Sequence, residues 1–252
     1  MDHMITAPQL STEEVRRMER VISLLPKTAK NVLEIGARQG AMTRRLAELF
    51  ENVTALDLQK PSFNIERVNP AQGDVQHLQF AANSFDCVVC TEVLEHVPDI
   101  SSAAREITRV SRSHILIGVP YRQDRRDGRT TCVHCGKINP PYGHLHSFDE
   151  TRITQLFTGL RVHPIEYVGE NRERTNAVST WLYDFARNPY GTYDQEEGCI
   201  YCGSKLETPP RGPLLRRVAA GLALRLYKVQ YAFHRVQPTW MLVVFEKVDS
   251  KG

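Results

Sequence analysis

The run Asn31-Val32-Leu33-Glu34-Ile35-Gly36-Ala37-Arg38-Gln39-Gly40 decides how this chain folds. Five residues of strand character stop at Gly36, and the apolar face of a helix follows at Met42, Leu46, Leu49 and Phe50. Strand, glycine turn and helix in direct succession form the opening of a parallel α/β sheet. Small residues in such a turn let backbone approach a ligand, and the helix beyond it offers unpaired amide donors. A tight connection without any ligand would need the same two glycines, so the surrounding sequence has to decide.

Upstream, Val15, Met18, Val21, Ile22 and Leu25 recur at helical spacing. Ser11 or Thr12 can cap that helix, Glu13 and Glu14 suit its positive end, and it stops before Pro26. Downstream, Val53-Thr54-Ala55-Leu56-Asp57-Leu58 reads as a second strand with Asp57 at its carboxyl end. An acid there, about 20 residues beyond the glycine turn, can accept both hydroxyls of a ribose, although alone it is also an ordinary turn residue. A less regular third element runs from Ile65 towards Gly73-Asp74-Val75. Cys87-Val88-Val89-Cys90 is apolar without alternation, as a central parallel strand covered on both faces requires. A helix bearing Ala103, Ala104, Ile107 and Val110 follows, then the strand His114-Ile115-Leu116-Ile117-Gly118-Val119, closed by Pro120. This alternation predicts a Rossmann-like, doubly wound α/β fold with a ligand crevice at the carboxyl edge of its sheet.

The pieces Val32 to Gly40, Leu56-Asp57-Leu58, Gly73-Asp74-Val75 and Phe85-Asp86-Cys87-Val88-Val89-Cys90-Thr91-Glu92-Val93-Leu94-Glu95-His96-Val97 together resemble the class I S-adenosylmethionine-dependent methyltransferases. The likeness is to their broad small-molecule group, which has a Glu-x-Leu-x-His segment after the fourth strand, and it covers roughly residues 15 to 120. It implies a seven-stranded mixed sheet whose last strand, here 239–247, is antiparallel. It also implies S-adenosylmethionine as cofactor. Glu34, Gly36 and Gly40 would belong to the first cofactor loop, Asp57 with Leu58 would hold the ribose, and Asp74 with Val75 the adenine. Glu92 would lie beside the methionine portion or the substrate, while His96 shapes the loop. Arg38 departs from the family, which commonly has glycine there. A long cation does not adopt a left-handed backbone angle cheaply; it could cover the cofactor carboxylate or a substrate phosphate, or weaken cofactor binding.

All six cysteines fall in Cys-x-x-Cys pairs, and two of the pairs, Cys132-Val133-His134-Cys135-Gly136 and Cys199-Ile200-Tyr201-Cys202-Gly203, are followed by glycine. Four thiolates from two such turns can surround a zinc ion tetrahedrally, and a filled four-cysteine shell supports folding rather than activating water. The 63 residues between Cys135 and Cys199 exceed what a compact zinc finger needs, so separate redox pairs or unrelated thiols are the alternatives. Cys87 and Cys90, inside the fourth strand, read as inert core thiols. The expected organisation is one domain over 1–250, with a zinc-binding elaboration at 121–146 and 188–212 and an amphipathic lid or packing helix at 213–237. In that segment Leu214, Leu215, Val218, Leu222, Leu226 and Val229 mark the apolar face, with Arg216, Arg217, Arg225, Lys228 and Arg235 as snorkelling cations or as a membrane-surface or partner contact.

Between the cysteine pairs, Gly143-His144-Leu145-His146-Ser147-Phe148 matches a Gly-His-x-x-x-Phe-like segment on the substrate side of similar methyltransferases. His144 or His146 is a candidate general base for a hydroxyl acceptor; either could instead bridge backbone groups or bind a metal. Ser147 or Asp149 should begin the next helix, and 161–168 reads as a sixth strand disturbed by Pro164.

A length of 252 residues and a net charge of +3 suit one well-cored domain with an appendage and carry no nucleic-acid signature. No run reaches the roughly 20 apolar residues of a membrane span, and Met1-Asp2-His3-Met4 shows no leader, so a reducing cytoplasm is expected. The expected function is methyl transfer to a hydroxyl of a small molecule. A zinc-containing protein or RNA methyltransferase, or an inactive methyltransferase-like scaffold, are the alternatives.

Overall fold

The structure, a computed structural model, describes residues 10–248 apart from Glu173 and Ala232; residues 1–4, read above for a leader, lie outside the described residues. In chain order the first elements are α1 (Thr12–Leu24), β1 (Asn31–Ile35), α2 (Ala41–Leu49), β2 (Asn52–Asp57), β3 (Val68–Gln72), β4 (Phe85–Thr91), α3 (Ile100–Val110) and β5 (Ser111–Pro120). There follow β6 (Thr130–Thr131), β7 (Ile138–Asn139), α4 (Glu150–Leu156), β8 (Arg161–Val162), β9 (Glu166–Val168), α5 (Ala177–Phe185), α6 (Leu214–Tyr231) and β10 (Trp240–Glu246). Two compact units result: the chain up to Tyr121 with Phe148–Gly169 and the chain from Pro238 form one, and Arg122–Ser147 with Glu170–Gln237 form the other.

In the first unit the strand order is β3-β2-β1-β4-β5-β10-β8, with β9 also on β10. Because β1 pairs in parallel with both β2 and β4, the winding reverses there and opens a crevice beyond the carboxyl ends of those strands. β10 runs antiparallel to β5, with Met241 opposite Val119 and Glu246 opposite His114. The single sixth strand expected over 161–168 is two short ones, so the sheet has eight strands. Pro164 lies in the gap between them, where its missing N–H would otherwise break the ladder.

Period-two alternation divides the core between the two faces of the sheet. Leu33, Ile35, Val88, Cys90, Ile115, Ile117, Met241 and Val243 pack with Ile107 of α3 and Ile153 of α4 on one face. Val32, Val53, Cys87, Val89, Leu116 and Leu242 pack with Val21 of α1 and Leu46 of α2 on the other. Each fully buried aliphatic side chain contributes roughly 1.5–3 kcal/mol relative to exposure. Cys87 and Cys90 are core thiols, and burial pushes Cys87 up to about 12 and Cys90 in the same direction. A capping box fixes the start of α1: Ser11 Oγ accepts the Glu14 N–H at 3.2 Å, and Glu14 Oε2 accepts the Ser11 N–H at 2.7 Å. Asp149 caps α4 by accepting the Arg152 N–H at 2.9 Å.

The second unit has a two-strand antiparallel ladder, β6 with β7, and a pair of packed helices, α5 and α6. Leu182 of α5 meets Ala219 and Ala223 of α6. This corrects the expected packing face of α6. Leu214, Leu215, Val218, Leu222 and Val229 are exposed, because the alanine side of the helix lets the neighbouring backbone approach more closely than leucine would. Among the described residues no helix is long and apolar enough to cross a membrane.

Candidate active site and metal centre

The turn after β1 is built around two residues that only glycine can supply. Gly36 has φ 84° and Gly40 φ 80°, and a Cβ would come within 2.4 Å of Val93 Cγ2 at the first and 2.7 Å of the Phe63 ring at the second. Arg38 lies between them at φ 42°, so the long cation does occupy the left-handed region, at a cost of roughly 1–2 kcal/mol. Clamping to β2 offsets that strain. The Gly36 and Ala37 amides donate to Leu56 O at 2.8 and 3.1 Å, and the Arg38 N–H donates to Asp57 Oδ2 at 2.7 Å. Asp57 Oδ1 accepts the Leu58 N–H at 2.7 Å, and the carboxylate keeps further lone pairs for a ligand. The Leu58 side chain is exposed beside it.

Glu34, at the same end of β1, is only 4% exposed, and its Oε2 has no hydrogen-bond partner. Burial, with the nearby Asp57 charge adding to it, pushes its carboxyl up to about 7. Such a group gains when a cationic or hydrogen-donating ligand enters. The Gly73 N–H donates to Asp57 O at 2.9 Å and thereby brings Asp74 to the crevice. Asp74 Oδ1 accepts the Gln76 N–H at 2.8 Å, while the Val75 side chain belongs to the core.

Glu92 follows β4 at φ 56°, its amide donating to Gly118 O at 2.9 Å. Trp240 Nε1 donates to Glu92 Oε2 at 3.1 Å, Arg17 Nη1 lies 3.1 Å from Oε1, and the Arg17 guanidinium sits 5.0 Å from the centre of the Trp240 ring. Arg17 and Trp240 are not among the residues that sequence reasoning brings to the site. Periodicity places Arg17 on the polar side of α1 and Trp240 at the start of the last strand, and neither pattern carries their meeting at Glu92. Glu95 is likewise missed by it. This residue is fully buried with neither carboxylate oxygen hydrogen-bonded, and burial followed by the Glu92 charge raises it well above the ordinary carboxylate range.

Both histidines of the Gly-His-x-x-x-Phe-like segment fall in the second unit. His144 is buried, with Nδ1 2.6 Å from Gln123 Oε1, and His146 is half-buried. Because an amide oxygen only accepts, His144 Nδ1 is the donor in this contact.

Also in the second unit, Cys132, Cys135, Cys199 and Cys202 converge, their Sγ atoms all within 4.8 Å of one another and unbridged. The 3.7 Å separation of Cys132 from Cys202 and 3.6 Å of Cys135 from Cys199 match the edge, about 3.8 Å, of a tetrahedron with metal–sulfur bonds of about 2.3 Å. The two turns repeat one geometry. Gly136 and Gly203 both have φ 73°, and their amides donate to Cys132 O at 2.9 Å and Cys199 O at 2.8 Å. Asn139 Oδ1 accepts the Ile200 N–H at 2.9 Å, joining β7 to the second turn. Leu206 and a partly buried Tyr193 complete a small core around the sulfurs.

Residues 33–115 match the family model described as a methyltransferase domain. The chain is 30% identical over 100 residues to a ubiquinone biosynthesis O-methyltransferase of Albidiferax ferrireducens, over 35% of this chain and 40% of that one. It thus spans well under two thirds of the curated relatives it matches. Among solved structures it is similar to protein BH2331 of Bacillus halodurans C-125, at TM-score 0.58 and 13% identity over 92% of this chain and 99% of that one. It is also similar to an S-adenosylmethionine-dependent methyltransferase of Mesorhizobium loti, at TM-score 0.50 and 12% identity over 90% and 96% of the two chains. With its parallel strands, its reversal at β1 and its antiparallel β10, the chain carries the class I S-adenosylmethionine-dependent methyltransferase fold, together with a four-cysteine cluster able to form a metal site.

Proposed function

We propose that the protein is an S-adenosylmethionine-dependent methyltransferase that methylates a hydroxyl of a small molecule, with a structural zinc ion in its second unit. The observation that carries the reading is the turn after β1. Gly36 and Gly40 let Val93 and the Phe63 ring close on a left-handed turn that no Cβ would fit, and the turn sets its backbone beside a ribose-competent Asp57 and a buried, under-satisfied Glu34. Those residues fit the cofactor. S-adenosylmethionine, when bound, supplies a methyl group already activated on a sulfonium leaving group. Asp57 accepts the ribose hydroxyls, with Leu58 offering an apolar surface alongside. Asp74 and the Val75 backbone receive the adenine edge. Glu34, Arg38 and Glu92 hold the amino-acid end, with Arg17 and Trp240 fixing the Glu92 carboxylate in place. The chain's own contribution is alignment and exclusion of water, so it needs no nucleophile.

The hydroxyl is favoured by the O-methyltransferase relative, which matches 35% of this chain. His144 or His146 takes the acceptor's proton, and His144 Nδ1 donates to Gln123 Oε1. Zinc is favoured by the sulfur separations and the paired glycine turns, which suit a closed four-thiolate shell.

Calorimetric titration of the zinc-loaded full chain with S-adenosylhomocysteine tests the cofactor site. One saturable site is expected, weakened about tenfold or more by Asp57→Ala with metal content unchanged. Absence of binding by the zinc-loaded protein would overturn the enzyme reading. Methyl-label transfer to a panel of hydroxyl and amine acceptors tests the rest, and labelling of amines alone rejects the hydroxyl.

A further inference from the structure

α6 turns its larger apolar side chains outward. Leu214, Leu215, Val218, Leu222 and Val229 recur on one helical face and are 72, 68, 59, 47 and 63% exposed, while the helix packs inward through Ala219, Ala220 and Ala223. α5, packed against it, leaves Val178, Trp181 and Phe185 exposed at i, i+3 and i+7, with the two rings stacked 6.2 Å apart. Beyond α6, Phe233 is 82% exposed. A stripe of this size on a helix pair with so small a core of its own calls for an occupant.

Charge identifies which occupant. From Thr208 to Phe245 the sequence holds Arg211, Arg216, Arg217, Arg225, Lys228 and Arg235 and no acid at all. By helical spacing Arg225 falls within the exposed stripe and Arg217 and Lys228 along its border, and all three are exposed. A second copy placed on this face by a two-fold axis would set cation against cation with no carboxylate on the helix to neutralise them. Nucleic acid would answer the charge and leave the leucines wet. A surface of anionic phospholipid answers both, since leucine, tryptophan and phenylalanine enter the acyl boundary while arginine and lysine stay at the phosphates.

We infer that the α5–α6 pair is an interfacial membrane-docking element that seats this protein on anionic phospholipid surfaces. The helix lies in the surface and does not cross it, consistent with the absence, among the described residues, of a helix long and apolar enough to span.

Sedimentation of the full chain with vesicles of phosphatidylcholine, with or without about one third phosphatidylglycerol, tests this. Binding is expected only to the anionic vesicles, falling on the order of tenfold when salt is raised to about 0.5 M. Leu222→Asp, and separately Arg217→Glu with Arg225→Glu, should each lower partition at least about tenfold. Because these side chains are exposed, the thermal transition and metal content should be unchanged in both variants. Quenching of tryptophan fluorescence by brominated lipid should occur in the parent and vanish in Trp181→Leu. Failure to bind either vesicle, or equal binding to both, overturns the inference. So does a concentration-dependent dimer that Leu222→Asp disperses, which would give the face to a second copy.

Discussion

Glu34 is a carboxyl enclosed at the end of the central strand, and its protonation couples stability to ligand binding. Its folded pKa of about 7 lies above the ordinary 4.5, so the folded chain holds a proton there that the unfolded chain has released. Its contribution to stability is therefore complete below about pH 4.5 and is lost as pH rises through 7, with a ceiling on the order of 3 kcal/mol. Glu34→Gln abolishes this titration. The variant should melt higher than the parent at pH 8 and lose that advantage at pH 5, while binding S-adenosylhomocysteine more weakly at both; a melting difference independent of pH would refute the assignment. Gly40→Ala acts on the same turn by steric means. A methyl 2.7 Å from the Phe63 ring at φ 80° should cost about 1–2 kcal/mol in stability and weaken product binding on the order of tenfold, measured by denaturation and calorimetry. At this scale the sequence reveals what local spacing encodes, namely the glycines, Asp57 and the four cysteines. Arg17 and Trp240 are illegible because their contacts with Glu92 cross from opposite ends of the chain and belong to no pattern of neighbours. Glu95 is hidden differently, since a charge-bearing residue inside a motif gives no sign that it will be enclosed without a partner.

Among elements, the strands of the first unit are legible because a strand covered on both faces needs an unbroken apolar run, and β4 and β5 have one. β6 and β7 are two residues each, shorter than any periodic signal, and they exist to carry the first cysteine turn. α6 shows the opposite limit. Periodicity identifies two unlike faces, yet alanines set the packing distance, so of the apolar residues marked there Leu226 packs against the helix pair while Leu214, Leu215, Val218, Leu222 and Val229 lie outside. The cysteine turns make the prediction proper to this scale. Cys132 sits in a core of few side chains, so Cys132→Ser should lower zinc from about one per chain to well below half and raise amide exchange from 130 to 206. β1, β4 and β5 should keep their protection, because none of their packing residues belongs to that core. Undiminished zinc in both Cys132→Ser and Cys199→Ser would reject the four-ligand site.

For the whole molecule, the division into two compact units joins two chemistries that can be addressed separately. The first has a large core on both sheet faces and a ligand crevice; the second has small satellite cores, one of them formed by the metal-competent sulfurs themselves. A ligand that binds only the folded state stabilises its unit by RT ln(1 + [L]/Kd), about 2.7 kcal/mol at a hundredfold excess over Kd. S-adenosylhomocysteine should therefore shift one calorimetric transition upward and leave a second in place. A zinc chelator should abolish or lower the second and spare the first. Chelation should also leave S-adenosylhomocysteine affinity within about twofold, because Glu34, Gly36, Gly40 and Asp57 all stand in the first unit. One cooperative transition that answers to both treatments would mean instead that the sulfur site stabilises the sheet, and the calorimetric trace distinguishes these outcomes without assumptions about the methyl acceptor.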